Sequence, residues 1–246
     1  MNKSGLVSIS FRQYSPEQIL DAAAGAGLEL IEWGGDVHVP HGDVAKAREV
    51  AALTKQYGLD TAEYGSYYKI GRDDVNFTDV AKSADALGTS VIRVWPGMNI
   101  ITADLTSDDY AYMVRDAARI CDEAKDMTVA LECHPDSLTE DYTSALKFIN
   151  DVSRENLKMF WQPNQHKSFE YNITAARTLS PYVVSVHTFF WIKNDRYPLS
   201  DGADIWVKYA DALQKELPYM LELMPDGLIE TLPREAKTLH NIIKGI

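Results

Sequence analysis

The sequence predicts one α/β domain, a single (β/α)8 TIM barrel over residues 1–246. Short apolar runs alternate with amphipathic stretches along the whole chain, and each pair occupies about thirty residues. No linker rich in serine, glycine or proline and no block of like charges divides the chain. The turn after the first run, SFRQYS, contains no glycine, which disfavours an open doubly wound sheet with a phosphate-binding turn.

The predicted strands are short and lie between stretches with helical periodicity. They cover residues 6–11, 28–34, 59–66, 90–96, 128–134, 157–163, 183–190 and 219–224. The predicted helices cover residues 16–26, 43–57, 77–87, 107–125, 141–151, 169–179, 203–216 and 230–243. Ser15 before Pro16 predicts one helix start, and Thr231 before Pro233 predicts another.

Charge and composition exclude several classes of partner. The chain has 24 Lys+Arg against 36 Asp+Glu, a formal net charge of -12, which disfavours nucleic acid and anionic membrane surfaces as partners. The two cysteines, Cys121 and Cys133, have no CxxC spacing, and no long apolar run opens the chain. We therefore expect a cytoplasmic protein with no signal peptide and no membrane span. Whether it forms a homo-oligomer stays open.

Four of the predicted strands carry one polar residue inside an apolar run, near the C-terminal end of the strand. These residues are Glu132 in VALECH, Gln162 in MFWQPN, His187 in VVSVHTF and Glu222 in YMLELM. One of them alone could be a satisfied core group. Because isolated buried charges are costly, four at equivalent positions predict ligands that converge on one divalent metal ion.

Alternation along the strands predicts that these polar side chains point into the barrel. Val129, Leu131 and Cys133 suit the helix-facing side of their strand, which leaves Glu132 and His134 inward. The same alternation assigns the helix-facing side of the last two strands to Val184, Val186, Tyr219, Leu221 and Leu223. His187 and Glu222 then face the interior.

The segments EWGGDVHVP, RVWPG, WQPN and LELMPD resemble the xylose-isomerase-like TIM-barrel superfamily, also called the sugar phosphate isomerase/epimerase family. The resemblance runs from the first strand to the last helix. It implies a metal held by a Glu, an Asp, a His and a second Glu, at the positions of Glu132, Gln162, His187 and Glu222. Gln162 departs from the family's aspartate. An amide oxygen binds more weakly, so a bound ion would be held less tightly and would keep more Lewis acidity.

The resemblance implies a metal-dependent sugar isomerase or epimerase that abstracts a proton next to a carbonyl and forms a metal-stabilised enediolate. It assigns Glu132 and Glu222 as the acid/base groups. His134 shares the face of Glu132 and is a third catalytic candidate, although a packing role fits it equally well. We expect one divalent ion, with Mn2+ ahead of Mg2+ and Co2+, because the ligands are oxygen and imidazole rather than thiolate.

Polar and aromatic residues near the strand ends are candidates for binding a sugar or glycoside. They are Arg12, Glu32, His38, Arg93, Trp95, Asn164, Trp191 and Arg196. A buried guanidinium is costly unless paired, so Arg93 should pair with an acid or reach the substrate. Trp95 and Trp191, with Tyr64 and Tyr67, could form an apolar wall for a sugar ring.

Other functions stay open. A keto-sugar lyase or a glycoside-cleaving enzyme could use the same proton abstraction to expel a leaving group. A non-catalytic sugar-binding barrel would fit if Gln162 marks a lost metal site. The acidic charge disfavours an endonuclease. Asp226 and Glu230 in the eighth loop favour a neutral sugar over a phosphosugar, although Lys193 and Arg196 in the seventh loop are two cations that a phosphate could use.

Overall fold

The computed structural model describes residues 1–72, 74–97, 100 and 102–245, and these form a closed barrel of eight parallel strands with a separate two-stranded hairpin. In chain order the strands are β1 (Lys3–Val7), β2 (Leu30–Gly34), β3 (Asp60–Lys69), β4 (Val91–Trp95), β5 (Thr128–Glu132), β6 (Leu157–Trp161), β7 (Val183–Thr188), β8 (Phe190–Ile192), β9 (Asp195–Tyr197) and β10 (Pro218–Leu221). Strands β8 and β9 form the antiparallel hairpin. Strand β10 closes the ring between β7 and β1. The predicted (β/α)8 barrel is confirmed.

All the predicted helices are present around the barrel. They are α1 (Pro16–Gly25), α2 (Val44–Gln56), α3 (Phe77–Leu87), α4 (Ser107–Glu123), α5 (Tyr142–Val152), α6 (Phe169–Leu179), α7 (Ala203–Leu213) and α8 (Leu232–Lys244). Ser15 caps α1 as predicted, in a capping box with Gln18. Thr231 does not cap α8, because its hydroxyl bonds Leu228 O and Asp226 Oδ1 instead. None of the described helices is long and apolar enough to cross a membrane.

The first strand lies earlier than predicted. β1 ends at Val7, and residues Ser8–Phe11 form a 3-10 helix. The hydroxyl of Ser8 accepts a hydrogen bond from Gly34 N at 2.9 Å, and that of Ser10 accepts one from Leu223 N at 2.8 Å. The turn buries its apolar side chains as a strand would, so the alternation of polarity looked like a longer strand. Arg12 therefore follows a turn, not a strand end.

The apolar core lies between the barrel and its helices. The helix-facing predictions are confirmed for Val129, Leu131, Cys133, Val186, Tyr219 and Leu221, which all belong to this core. The prediction for Leu223 is wrong. Because β10 ends at Leu221, alternation no longer applies, and Leu223 adopts a positive φ of 49° and lines an interior cavity.

The barrel interior is filled by two different kinds of side chain. A small apolar cluster contains Val7, Ile9, Leu30 and Met220. The strands also carry a set of buried polar and charged side chains, which are Glu32, Glu63, Arg93, Glu132, Ser185 and His187. We call this set the buried polar layer.

Candidate metal centre

The four predicted metal ligands come together at the C-terminal ends of their strands. Glu132 is the last residue of β5, His187 lies in β7, and Gln162 and Glu222 directly follow β6 and β10. Glu132 Oε1, Glu222 Oε2 and Gln162 Oε1 lie 3.7, 3.5 and 3.2 Å from His187 Nδ1. One ligand atom each from Glu132, His187 and Glu222 lies within 4.8 Å of the others.

This spacing fits a divalent metal ion. Atoms bound to one ion at about 2.0–2.4 Å lie about 3–4.5 Å from one another. The donors are two carboxylate oxygens, an imidazole nitrogen and the amide oxygen of Gln162, which suit Mn2+ or Mg2+ better than an ion that prefers thiolates. All four side chains are at most 9% exposed, so an ion would offset charge that water does not reach.

Glu32 orients the imidazole of His187. Its Oε2 lies 2.8 Å from His187 Nε2. Burial raises the pKa of Glu32, but the nearby charges of Arg93 and His187 outweigh this effect and lower the pKa to about 2. This carboxylate is therefore ionised and can only accept hydrogen bonds. The imidazole therefore donates from Nε2 and presents Nδ1 to Glu132, Glu222 and Gln162. A carboxylate behind a metal-binding histidine fixes the ring in this way.

Arg93 joins two of the buried carboxylates. Its Nε donates to Glu32 Oε1 at 2.8 Å, and its Nη1 pairs with Glu132 Oε2. The expectation that Arg93 pairs with an acid is confirmed. Glu132 keeps its other oxygen, Oε1, toward His187. Gly65 on β3 makes room for these contacts, since a Cβ there would lie 2.7 Å from Arg93 Nη2 and also meet Glu32 Oε1.

The candidate metal centre opens onto a cavity of about 250 Å³, which we call the reaction cavity. Its walls include the predicted residues Arg12, Arg93, Trp95, Glu132, His134, Gln162, Trp191 and Glu222. Tyr67 also lines it and stacks on Trp95 with ring centroids 6.5 Å apart. The ring of His134 lies 4.5 Å from that of Trp95, and its Nδ1 donates to Pro135 O at 2.6 Å. His134 Nε2 is therefore the nitrogen left to act on a ligand.

Four predicted substrate-binding residues lie elsewhere in the described part of the chain; they are Glu32, His38, Asn164 and Arg196. Glu32 is fully buried. His38 is buried between Ser8 Oγ, at 3.0 Å, and Tyr14 O, at 3.3 Å, and so holds the chain after β1.

The other two lie beside the reaction cavity. Asn164 lines neighbouring cavities, and its backbone and side chain bond Asn172 and His166. The guanidinium of Arg196 lies over the ring of Trp191, 4.8 Å from its centroid. Tyr64, expected in the aromatic wall, instead belongs to the helix-side core, where its hydroxyl donates to Val39 O at 2.7 Å.

Glu63 is a functional candidate that was not predicted from the sequence. It is 2% exposed, and the register of β2 and β3 pairs it with Glu32. Burial and the nearby charge of Glu32 raise the pKa of Glu63 to about 8, so its carboxyl group is protonated at neutral pH. The signal was present, because Glu63 stands in the predicted strand LDTAEYG. It lies on the third strand, away from the four strands that carry the ligands.

Comparisons with known proteins show the family of the chain. No match is found among curated protein sequences. The probable 3-DHS dehydratase AsbF, involved in petrobactin synthesis in Bacillus anthracis, has a TM-score of 0.81 and 21% identity, with 98% of this chain and 99% of that chain covered. D-Psicose 3-epimerase with D-tagatose from Clostridium cellulolyticum H10 has a TM-score of 0.74 and 15% identity, with 98% of both chains covered.

A xylose isomerase-like TIM barrel protein from Mycobacterium smegmatis in complex with magnesium has a TM-score of 0.74 and 11% identity, with 100% of this chain and 98% of that chain covered. At these identities the structural likeness shows the fold alone. The sequence profile described as Xylose isomerase-like TIM barrel matches residues 20–238. The chain belongs to the xylose isomerase-like TIM barrel family.

Proposed function

We propose that the chain is a metal-dependent enzyme that moves a proton next to a sugar carbonyl, as an isomerase or epimerase. The observation that carries this proposal is the group of Glu132, His187 and Glu222, whose ligand atoms lie within 4.8 Å of one another. Glu132 and Glu222 also line the reaction cavity of about 250 Å³. The epimerase among the structural neighbours supports the same class.

Glu132, Gln162, His187 and Glu222 would hold one divalent ion, with Mn2+ the first choice for these ligands. When bound, such an ion polarises a carbonyl group and stabilises the negative charge that develops as the neighbouring proton leaves. The protein holds its ligands ready for this role. Glu32 fixes the ring of His187, and Arg93 holds Glu132 through the oxygen that does not face the centre.

Two carboxylates reach the reaction cavity from different sides. Glu132 comes from β5 and Glu222 from the end of β10, with β6 and β7 between these strands in the barrel. Burial raises the pKa of Glu222, but His187 and Arg93 lower it below its usual value, so this group is ionised and can accept a proton. An epimerase removes a proton on one face of a carbon and returns one on the other. We assign these two steps to Glu132 and Glu222.

The cationic side chains of the cavity wall are paired with carboxylates, and this pairing favours a neutral sugar over a phosphosugar. Among the described lining residues, the cationic ones are Arg12 and Arg93. Arg12 is paired with Asp36 at 2.6 Å and also bonds Tyr67 Oη and Ile9 O. Arg93 is paired with Glu32 and Glu132. Because both guanidinium groups are already paired with carboxylates, neither of these two positive charges is left without a counter-charge to attract a phosphate group.

One experiment tests the proposed function directly. The Mn2+-loaded protein is incubated in D2O with a panel of ketoses and 3-keto sugars, and deuterium at each carbon is followed by NMR. Exchange at one carbon is expected, and it names the reacting centre. Parallel reactions with the phosphate esters test the charge of the substrate. Absence of exchange across the panel, in protein that holds its metal, would contradict the proposal.

A lyase is the second candidate. His134 lines the reaction cavity and adds a third acid/base group, which an elimination can use to protonate a leaving group. The dehydratase among the structural neighbours is consistent with this reaction. Product analysis separates the two candidates, because an elimination releases water or another leaving group while an isomerisation conserves the composition of the sugar.

A further inference from the structure

A second cavity of about 240 Å³ lies beside the reaction cavity, between α6, α7 and the β8–β9 hairpin. Most of its described lining residues are apolar, and the aromatic ones are Phe169, Phe189, Phe190, Trp191, Trp206 and Tyr209. The others are Pro163, Ile192 and Ile205, with the polar residues Asn164, Gln165, Lys167 and Asn172. We call this cavity the aromatic subsite. Among its described lining residues, Lys167 is the one with a charged side chain, so the site favours apolar ligands.

The aromatic subsite adjoins the reaction cavity. Gln165, Phe189 and Trp191 line both cavities. The carboxylates of Glu132 and Glu222 therefore lie on one side of these three shared residues, and the other aromatic rings lie on the other side. A molecule that spans both parts would need a polar portion with oxygen atoms and a flat apolar portion.

The frame of the aromatic subsite is held by specific contacts. Trp206 Nε1 donates to Phe189 O at 2.7 Å, which ties α7 to the chain after β7. Lys193 N donates to Gln165 O at 3.3 Å, which ties the hairpin to the loop after β6. Phe190 packs so closely on Gly202 that a side chain there would overlap its ring. These contacts connect the hairpin to α7 and to the loop after β6.

We propose that the aromatic subsite binds a flat apolar substituent of the substrate, so that the substrate is a sugar bearing an aryl group rather than a small free sugar. The inference rests on the proposed function in that the sugar portion lies at the metal centre. Aromatic walls favour aromatic ligands, since ring pairs add attraction beyond the burial of apolar area. Phe169, Phe190 and Trp191 are half-buried, so part of each ring is open to a ligand, while Trp206 and Tyr209 are buried behind them. A cavity of about 240 Å³ suits a ring better than a docking protein surface, which would be broad.

Paired ligands test the aromatic subsite. Phenyl and methyl glycosides of the same set of sugars are titrated against the Mn2+-loaded protein by calorimetry. Burial of a phenyl ring predicts that the phenyl member of at least one pair binds about tenfold tighter or more. Ile205→Trp, which fills the cavity, should remove this preference. The matched control Val207→Trp places the same side chain on α7 at a residue outside the described lining and should keep it.

The outcomes separate this inference from the proposed function. Equal binding of phenyl and methyl glycosides in every pair, or no binding of either, would overturn the aromatic subsite. A preference for phenyl glycosides that persists in Ile205→Trp would also contradict the aromatic subsite. If Ile205→Trp does not fold, Ile205→Phe is tested in its place. Metal content and deuterium exchange with free ketoses are measured on the same proteins. Deuterium exchange without a preference for aryl glycosides would support the proposed function and contradict only the aromatic subsite. A preference for aryl glycosides without exchange would support the aromatic subsite and contradict the proposed function.

Discussion

Glu32 and His187, 155 residues apart in the chain, form a hydrogen bond of 2.8 Å inside the barrel. This bond makes the Nδ1 of His187 the atom that faces both glutamates and Gln162. Glu32 would thus act on the proposed metal centre without being one of its ligands. Metal affinity should depend on it.

The first prediction concerns Glu32 itself. Glu32→Gln keeps the shape of the side chain but removes the charge that holds His187 and Arg93. We expect metal affinity to fall by about 10–100-fold, the usual effect of removing a partner of a metal-binding histidine. Titration with Mn2+ measures this change, and Glu49→Gln, at an exposed residue on α2, is the control. Equal affinity in wild type and Glu32→Gln would show that the bond does not support the metal.

The second prediction concerns proton release. Burial lowers the pKa of His187, but Glu222 and Glu32 raise it well above its usual value. The metal-free imidazole is therefore protonated at neutral pH, and a metal can bind Nδ1 only after the proton leaves. We expect metal binding near pH 7 to release about one proton per ion. Calorimetry in two buffers of different ionisation enthalpy measures it, and an identical heat in both buffers would contradict it.

The third prediction tests Gln162 as a ligand. Gln162→Asp replaces a weak amide ligand with a carboxylate and should tighten metal binding. Gln165→Asp is the matched control, because Gln165 lines the same cavity but lies outside the four-residue set of ligands. Metal affinity is measured for both. If both variants gain equally, the effect is charge in the cavity, and Gln162 is not a ligand.

The fourth prediction concerns catalysis. Glu132→Gln and Glu222→Gln should each lower turnover by about 100-fold or more, the range expected when an acid/base group is lost. Both residues are also proposed metal ligands, so each variant is assayed at saturating Mn2+ and its metal content is measured. Deuterium exchange that survives in one variant alone would identify which glutamate serves which face of the sugar. Full turnover in both would move the proton transfers to another group, with His134 the next candidate.

The fifth prediction concerns pH and stability. Glu63 has a pKa of about 8 in the folded protein, against roughly 4.3 in an unfolded chain. Between these values the folded state holds a proton that the unfolded state has released, so this group's contribution to stability falls as pH rises from about 4.3 to 8. Glu63→Gln removes the titrating carboxyl group and leaves its neighbours Glu32, Ser185 and His187 in place. The free energy of unfolding of the variant, relative to wild type, should rise between pH 5 and pH 8 in denaturant titrations. A constant difference would contradict the raised pKa.

Most of the fold could be predicted because periodicity and polarity agree along the chain. The helix-facing residues of β5 supported the inward direction of Glu132, and the resemblance supplied the order of the four ligands. The hairpin after β7 was missed because Phe190, Trp191 and Ile192 continue the apolar character of the strand, and the polar residues 193–196 resemble a loop. A short antiparallel pair depends on packing against Gly202, which no local pattern reveals.

The contacts of the site were harder to predict than its members. Glu32 was expected to touch the substrate, yet it lies behind His187, since the closed ring places β2 three strands from β7 and lets the two side chains meet in the interior. His38 looked like a site residue because it follows EWGGD, but Ser8 and Tyr14 already satisfy both of its ring nitrogens. These contacts join residues that are distant in the chain, and a sequence pattern does not give the distance between two side chains in space.

The buried polar layer takes the place that branched apolar side chains fill in most barrels of this type. Replacing buried ion pairs with apolar groups of similar volume is often neutral or adds about 1–4 kcal/mol of stability. A version of this barrel with an apolar layer in place of Glu32, Glu63, Arg93 and Glu132 should therefore melt at a higher temperature than the metal-free protein and bind no ion. On this expectation the natural chain lies below its attainable stability, because its interior carries the charged groups that the proposed chemistry needs.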